Sequence, residues 1–166
     1  MRHVAFLRNL NQGQRNNPTS EQLVDAFERA GASGISLIRG NGTVVFDADD
    51  PTGCADVAVR LLAEGSGWSD VAFVRSLAWI ADILTFVHTR TEDQQNLELT
   101  VFDESLTPAK PLTGRRSVVI ESGQGFALTM NERANESDGT STLERALGVK
   151  ATSRGIPTLQ LLARRS

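Results

Sequence analysis

The chain has 166 residues, 40% of them hydrophobic and 22% charged, with a formal net charge of −3 and a single cysteine. That length can bury a core without metal or disulfide support, and the mixture excludes an extended disordered chain. The mild acidity excludes a surface built for strong nonspecific attraction to nucleic acid or anionic membrane, and one cysteine excludes both an intrachain disulfide and a cysteine-rich metal site.

The opening residues, Met1-Arg2-His3-Val4-Ala5-Phe6-Leu7-Arg8, lack the long apolar stretch of a signal peptide. Residues 77–87 are the most apolar segment, but they carry Asp82 and are too short to span a bilayer. The expected location is cytoplasmic, with no membrane partner. Residues 3–7 read as a short buried strand, followed by a polar loop over residues 8–18. Thr19 and Gln22 fit a capping box, which satisfies backbone N–H groups left unpaired at a helix start. Leu23, Phe27 and Ala30 then recur at helical spacing, and Gly31 and Gly34 mark the stop. Residues 35–38 and 43–46 read as strands joined by Gly40-Asn41-Gly42, a hairpin signal because glycine tolerates positive φ. Asp50-Pro51 predicts a helix entry, with Asp as N-cap and Pro in the first helical position. Cys54, Ala58, Leu61 and Leu62 share one face of that helix, which should end before Gly65-Ser66-Gly67. Residues 71–74 read as a fourth strand. The order strand, helix, hairpin, helix, strand is that of a ferredoxin-like βαββαβ unit, in which two helices cover one face of a four-stranded antiparallel sheet.

Ser76 is placed to cap a third helix with Leu77, Ile80, Ala81 and Leu84 inward. Residues 96–102 alternate, with Leu97, Leu99 and Val101 on one face and Glu98 and Thr100 on the other, which predicts a half-exposed strand. A short segment around Leu106 follows. Residues 117–121 and 126–130 form a second hairpin across Ser122-Gly123-Gln124-Gly125, and residues 131–139 a polar loop. Ser141-Thr142-Leu143-Glu144 reads as a capping box opening a helix with Leu143, Ala146 and Leu147 inward, closed by Gly148. Residues 158–163 fit a helix or a last strand, since Leu159, Leu161 and Leu162 do not settle the period. The two hairpins share a pattern that points to an internal structural repeat. The expected fold is therefore α+β: two ferredoxin-like halves of βαββαβ type, residues 1–75 and 76–166 of one compact unit, with antiparallel sheets covered by helices.

Several runs carry a resemblance. Phe6-Leu7-Arg8-Asn9-Leu10-Asn11-Gln12-Gly13, then Asn41-Gly42-Thr43-Val44-Val45-Phe46, then Val74-Arg75-Ser76 stand in the chain in this order. Leu143-Glu144-Arg145-Ala146-Leu147-Gly148-Val149 and Ala151-Thr152-Ser153-Arg154 complete the set. Together they resemble the bacterial domain-of-unknown-function 1697 family over nearly the whole chain. The resemblance implies an α+β fold with two ferredoxin-like halves and brings no established activity. Asn9 stands where the family usually has Gly, Gln14 where it has a second Gly, and Thr43 where it has Asn. Gly155-Ile156-Pro157 replaces a common Asn-Trp-Asn run. A family site built from the first loop and the C-terminal segment would be altered here.

The loop after the first strand is the main functional candidate. Arg8, Asn11, Gly13, Arg15 and Asn16 offer guanidinium, amide and backbone N–H groups to an anion, and the helix start near Ser20 and Glu21 adds partial positive charge. Neither a Walker A nor a Gly-x-Gly-x-x-Gly pattern is present. Arg39 beside the hairpin, Arg75 at a strand end and Arg154 near the C-terminus are further cations suited to a cleft or to structural pairing. Arg8, Asn11, Gly13, Arg39 and Arg154 are the expected ligand contacts. Arg115-Arg116 reads as a solvated charge pair at a turn. His3 and His88 fit no metal-ligand spacing, so no metal and no cofactor are expected. Cys54 reads as a buried structural thiol. Asp50 is explained as a cap, while Asp49 and the pair Glu92-Asp93 sit in expected loops with nothing to separate an acid from a base. Ser122-Gly123-Gln124-Gly125 is not a nucleophile elbow. Phe6, Phe46, Phe73 and Phe102 read as core rather than as a stacking platform for RNA. The leading expectation is a noncatalytic binding module for a small anionic or phosphate-bearing ligand. The alternatives are a homo-oligomeric or protein-interaction scaffold using sheet edges, and an enzyme of unknown reaction with a site between the halves.

Overall fold

The structure, a computed structural model, describes residues 1–90, 94–109 and 112–165. The expected carboxylate pair Glu92-Asp93 lies outside the described residues. The elements are β1 (Arg2–Leu7), α1 (Ser20–Arg29), β2 (Ser33–Ile38), β3 (Thr43–Asp47), α2 (Pro51–Ser66), β4 (Ala72–Ser76) and α3 (Leu77–His88). A 3-10 turn at Gln94–Asn96 leads to β5 (Leu97–Val101), β6 (Ser117–Gly123), β7 (Phe126–Asn131), α4 (Gly139–Leu147), β8 (Thr152–Gly155) and α5 (Ile156–Ala163). The strands form two four-stranded antiparallel sheets, ordered β2-β3-β1-β4 and β6-β7-β5-β8. This is the α+β fold with two ferredoxin-like sheets that the sequence led us to expect. No helix among the described residues is long and apolar enough to cross a membrane.

The chain divides into two compact units, Met1–Ala81 with Leu161–Ser166, and Asp82–Gln160. In the first, the polar–apolar pattern of α1 and α2 turns Leu23, Ala26 and Phe27, and Cys54, Ala55, Ala58 and Leu62, onto Ala5, Leu7, Val44 and Phe46 of the sheet. Phe27 meets Phe46 with ring centroids 5.1 Å apart at 58°, a tilted geometry that favours aromatic pairs. Both rings are fully buried, and full burial of such a side chain stabilises by about 1.5–3 kcal/mol. Thr19 caps α1 through the capping box: its hydroxyl accepts from the Gln22 N–H, and the Gln22 side chain accepts from the Thr19 N–H.

The second unit repeats the strand order but not every helix. Among the described residues, a loop without a helix joins β5 to β6 where α1 joins β1 to β2. Leu106 and Leu112 of that loop pack with Phe102, Val119, Ala127, Leu143 and Ala151. Two local expectations change, and an open one is decided. All five residues of β5 are buried, so Glu98 and Thr100 do not form a solvated face. Helix α4 begins at Gly139, ahead of the expected Ser141 start, with Asp138 in the cap position, and Ala146 is exposed. The C-terminal segment resolves into strand β8 followed by helix α5.

Candidate functional site

At one end of the first sheet, three connections meet: the β1–α1 loop, the β2–β3 turn and the α2–β4 junction. The Leu7 N–H donates to the Gly42 carbonyl at 2.8 Å and the Gln12 N–H to the Gly40 carbonyl at 2.9 Å, tying loop to turn. Gly42 has φ +70, and a Cβ there would lie 2.9 Å from the Leu7 carbonyl oxygen and from Leu10 Cβ. Only glycine allows that approach without displacing the loop. On the other side, the Arg8 N–H donates to the Val71 carbonyl at 2.9 Å and Trp68 Nε1 donates to the Arg8 carbonyl at 3.1 Å.

Arg8 is held by this framework. Its Nη1 lies 2.8 Å from Asp70 Oδ2, which also accepts from Asn9 Nδ2 at 3.0 Å, while Asp70 Oδ1 accepts from the Val71 N–H at 2.9 Å. Burial pushes the Asp70 carboxyl up, but the Val71 N–H, the hydrogen bond and charge of Arg8, and the Asn9 amide outweigh it. The net position is below the ordinary carboxylate value. Asp70 is therefore a firmly ionised partner and a weak base. Trp68 and Asp70 had no place in the sequence reading of this loop, and no local spacing links them to Arg8 from so far along the chain.

Asn11, Gly13 and Arg39 sit at the same end. The Asn11 N–H donates to Asn17 Oδ1 at 2.9 Å, leaving its exposed side chain outside that bond. Gly13 has φ +84 and open space where a side chain would point. Arg39 has φ +56, a left-handed conformation uncommon outside Gly, Asn and Asp. It directly precedes Gly40, whose carbonyl accepts from the Gln12 N–H. Arg15 and Arg39 are exposed, and neither has a carboxylate partner among the described residues. At the α1 start, Gln12 Nε2 donates to Ser20 Oγ at 2.7 Å, and the capping box occupies the Gln22 N–H.

The remaining candidates lie elsewhere. Arg154 belongs to the second unit, where its Nη1 donates to Thr152 Oγ1 at 2.9 Å and to the Ser153 carbonyl at 2.8 Å. Burial pushes its guanidinium down to about 10, so it is still a cation at neutral pH. Arg75 is built the same way in the first unit: Nη1 donates to the Val74 carbonyl at 2.8 Å, and the guanidinium lies 5.6 Å from the Trp79 ring centroid, within cation–π range. Cys54 is a free buried thiol, pushed up by burial and by the Asp50 charge. His88 is exposed, whereas His3 Nδ1 is buried without a hydrogen-bond partner. Among the described residues no cluster of three His, Cys, Asp or Glu side chains is placed to hold a metal ion.

The chain matches the family described as "Protein of unknown function (DUF1697)" over residues 1–116, and it belongs to that family. Among curated proteins none matches the chain. A solved structure, that of the conserved bacterial protein SP0830 from Streptococcus pneumoniae, is similar over 98% of this chain and 97% of that one. Its TM-score is 0.63 at 13% sequence identity. The likeness is one of fold.

Proposed function

We propose that this member of the family is a noncatalytic binding module that takes a small anionic or phosphate-bearing ligand at the loop end of the first sheet. The observation that carries the reading is the docking of the β1–α1 loop onto the β2–β3 turn, Gln12 N–H to Gly40 carbonyl. It gathers Asn11, Gly13 and the unpaired Arg39 at one end of a rigid sheet. Arg8 is the brace of this arrangement, because its charge is already matched by Asp70. The ligand groups are then the Arg39 and Arg15 guanidiniums, the Asn11 amide and the Gly13 backbone, donors suited to oxyanions. Such a site binds without reacting: its carboxylate, Asp70, is held as a weak base.

The test is a thermal-shift panel of nucleotides and phosphorylated metabolites on the wild type and on Arg39→Gln and Arg15→Gln. The expected result is a stabilising shift with at least one compound that falls in Arg39→Gln. No shift with any compound, or shifts untouched by both substitutions, would count against the reading.

A further inference from the structure

The second unit has a concavity of about 440 Å³ lined by Arg115, Arg116, Asn131, Glu136, Ser137 and Asp138. That volume falls within the range of small-molecule sites. Its chemistry is set by a network just beneath it. Asp138 Oδ2 accepts from the Arg116 N–H at 3.1 Å, from Ser117 Oγ at 2.8 Å and from Thr142 Oγ1 at 3.3 Å, and Oδ1 accepts from Ser141 Oγ at 3.3 Å. The acceptor sites of Asp138 are thus occupied by protein donors. Glu136 is 3.8 Å from Arg133 on the rim. Arg115 and Arg116 have no carboxylate partner among the described residues, so their guanidiniums are available to an incoming oxyanion.

Asn131 supplies the second, independent observation. It ends β7 and is 4% exposed. Its Oδ1 accepts from the Asp138 N–H at 3.2 Å, which fixes the amide orientation, because only the carbonyl end can accept from an N–H. Asn131 lines the cavity, and its NH2 end has no protein acceptor among the described residues. The NH2 end is open to solvent and free to donate to an acceptor that enters the cavity.

We propose that this pocket is a binding site distinct from the first-unit loop. It takes the phosphate or carboxylate head of a small metabolite, with Asn131 Nδ2 donating from the floor and the Arg115 and Arg116 guanidiniums closing from the rim. Two guanidiniums and an amide NH2 match an oxyanion, whose several lone pairs accept from all three. The site is independent of Arg39 and Gly13.

The test uses the full chain and residue-resolved NMR, with inorganic phosphate and acetate titrated separately. The expected result is a saturable shift of the Asn131 side-chain NH2 and the Arg116 N–H with at least one probe, and the probe that binds tells phosphate from carboxylate. Asn131→Asp keeps an acceptor for the Asp138 N–H while replacing the NH2 by a repelling oxygen, and it should weaken binding at least tenfold. The double variant Arg115→Gln/Arg116→Gln, both at exposed positions, should do the same and guards against a folding defect in the first. No movement at Asn131 with either probe, movement confined to Gly13 and its neighbours, or equal affinity in both variants overturns the proposal. Movement at Gly13 alone would leave the first-unit reading standing.

Discussion

At the scale of single residues, the charges most easily read as ligand contacts turn out to be partly structural. Arg8 stands in a loop run that resembles a family motif, yet its guanidinium is matched by a carboxylate 62 residues away. No local pattern carries that information, because an ion pair across a fold leaves no periodicity in the sequence. Its consequence is testable. Asp70 is held below its ordinary pKa in the folded chain, so its stabilising contribution is complete above the unfolded value of about 4 and fades as pH falls through the lower folded value. Asp70→Asn should cost about 2 kcal/mol at neutral pH, the scale of a charge-assisted hydrogen bond. Urea unfolding of wild type and variant at a series of pH values should show the gap narrowing only under acid conditions. A gap that persists unchanged at pH 2 would assign the cost to packing instead. Gly139 offers a second residue-scale test: a Cβ there would lie 2.6 Å from Glu98 Oε1 and 2.8 Å from Thr100 Oγ1. Gly139→Ala should destabilise by about 1–3 kcal/mol, the usual cost of overpacking, read from the urea midpoint.

At the scale of elements, strands and turns were legible where a short apolar run met a glycine turn, as in both hairpins, or stood alone between polar segments, as in β1. The misreading of β5 has a physical cause: its polar residues were assigned to water, whereas the fold buries them. Glu98 is 5% exposed because its Oε1 accepts from the Gly139 N–H at 2.8 Å at the start of α4. Thr100 is buried in a chain of hydroxyls, bonded to Ser153 Oγ at 2.7 Å, which in turn meets Thr140 Oγ1 at 2.6 Å. Strand β8 escaped because Thr152, Ser153 and Arg154 show no apolar alternation. The start of α4 was set too late because Asp138, not Ser141, holds the cap position. Caps therefore give the cleanest comparison between elements. Asp50 accepts the Gly53 N–H at 3.0 Å, whereas Asp138 gathers a backbone N–H and three hydroxyls from two segments of chain. Asp50→Ala should cost about 1 kcal/mol, as an ordinary N-cap loss does. The Asp138 side chain makes no cap bond to the α4 backbone, yet Asp138→Ala should cost more, about 2 kcal/mol, by leaving the Arg116 N–H and the buried Ser117 and Thr142 hydroxyls short of an acceptor. Equal losses in denaturant unfolding would mean that the Ser117 and Thr142 hydroxyls find other acceptors.

At the scale of the molecule, the repeat inferred from two similar hairpins extends to details the sequence did not announce. Edge strands β2 and β6 both carry a register shift against their neighbours, near Ser33 to Ser36 and near Val119 to Glu121. Arg75 and Arg154 occupy matching places, opposite Val4 of β1 and Leu99 of β5, and each bonds the carbonyl of the residue before it. The two units are nevertheless unequal in how the chain completes them. The first ends at Ala81 and then recovers Leu161–Ser166 after the whole second unit has been made. That returning segment is bonded in place: Arg2 Nη1 donates to the Arg165 carbonyl at 2.9 Å and Arg165 Nη1 to Ser36 Oγ at 2.7 Å, and Leu162 is fully buried. A fragment ending at Ala81 lacks these contacts and leaves apolar surface uncovered, at a cost of about 25 cal/mol per Å². Cys54, 5% exposed in the first core, is the natural reporter, because its thiol becomes reactive only when that core opens. Thiol labelling of Cys54 should be slow in the full chain and at least about tenfold faster in the 1–81 fragment, since roughly 1.4 kcal/mol of lost opening free energy gives that factor. Equal labelling rates would mean that the first ferredoxin-like unit closes its core with its own residues, and that the returning C-terminal segment rests on it without holding it shut.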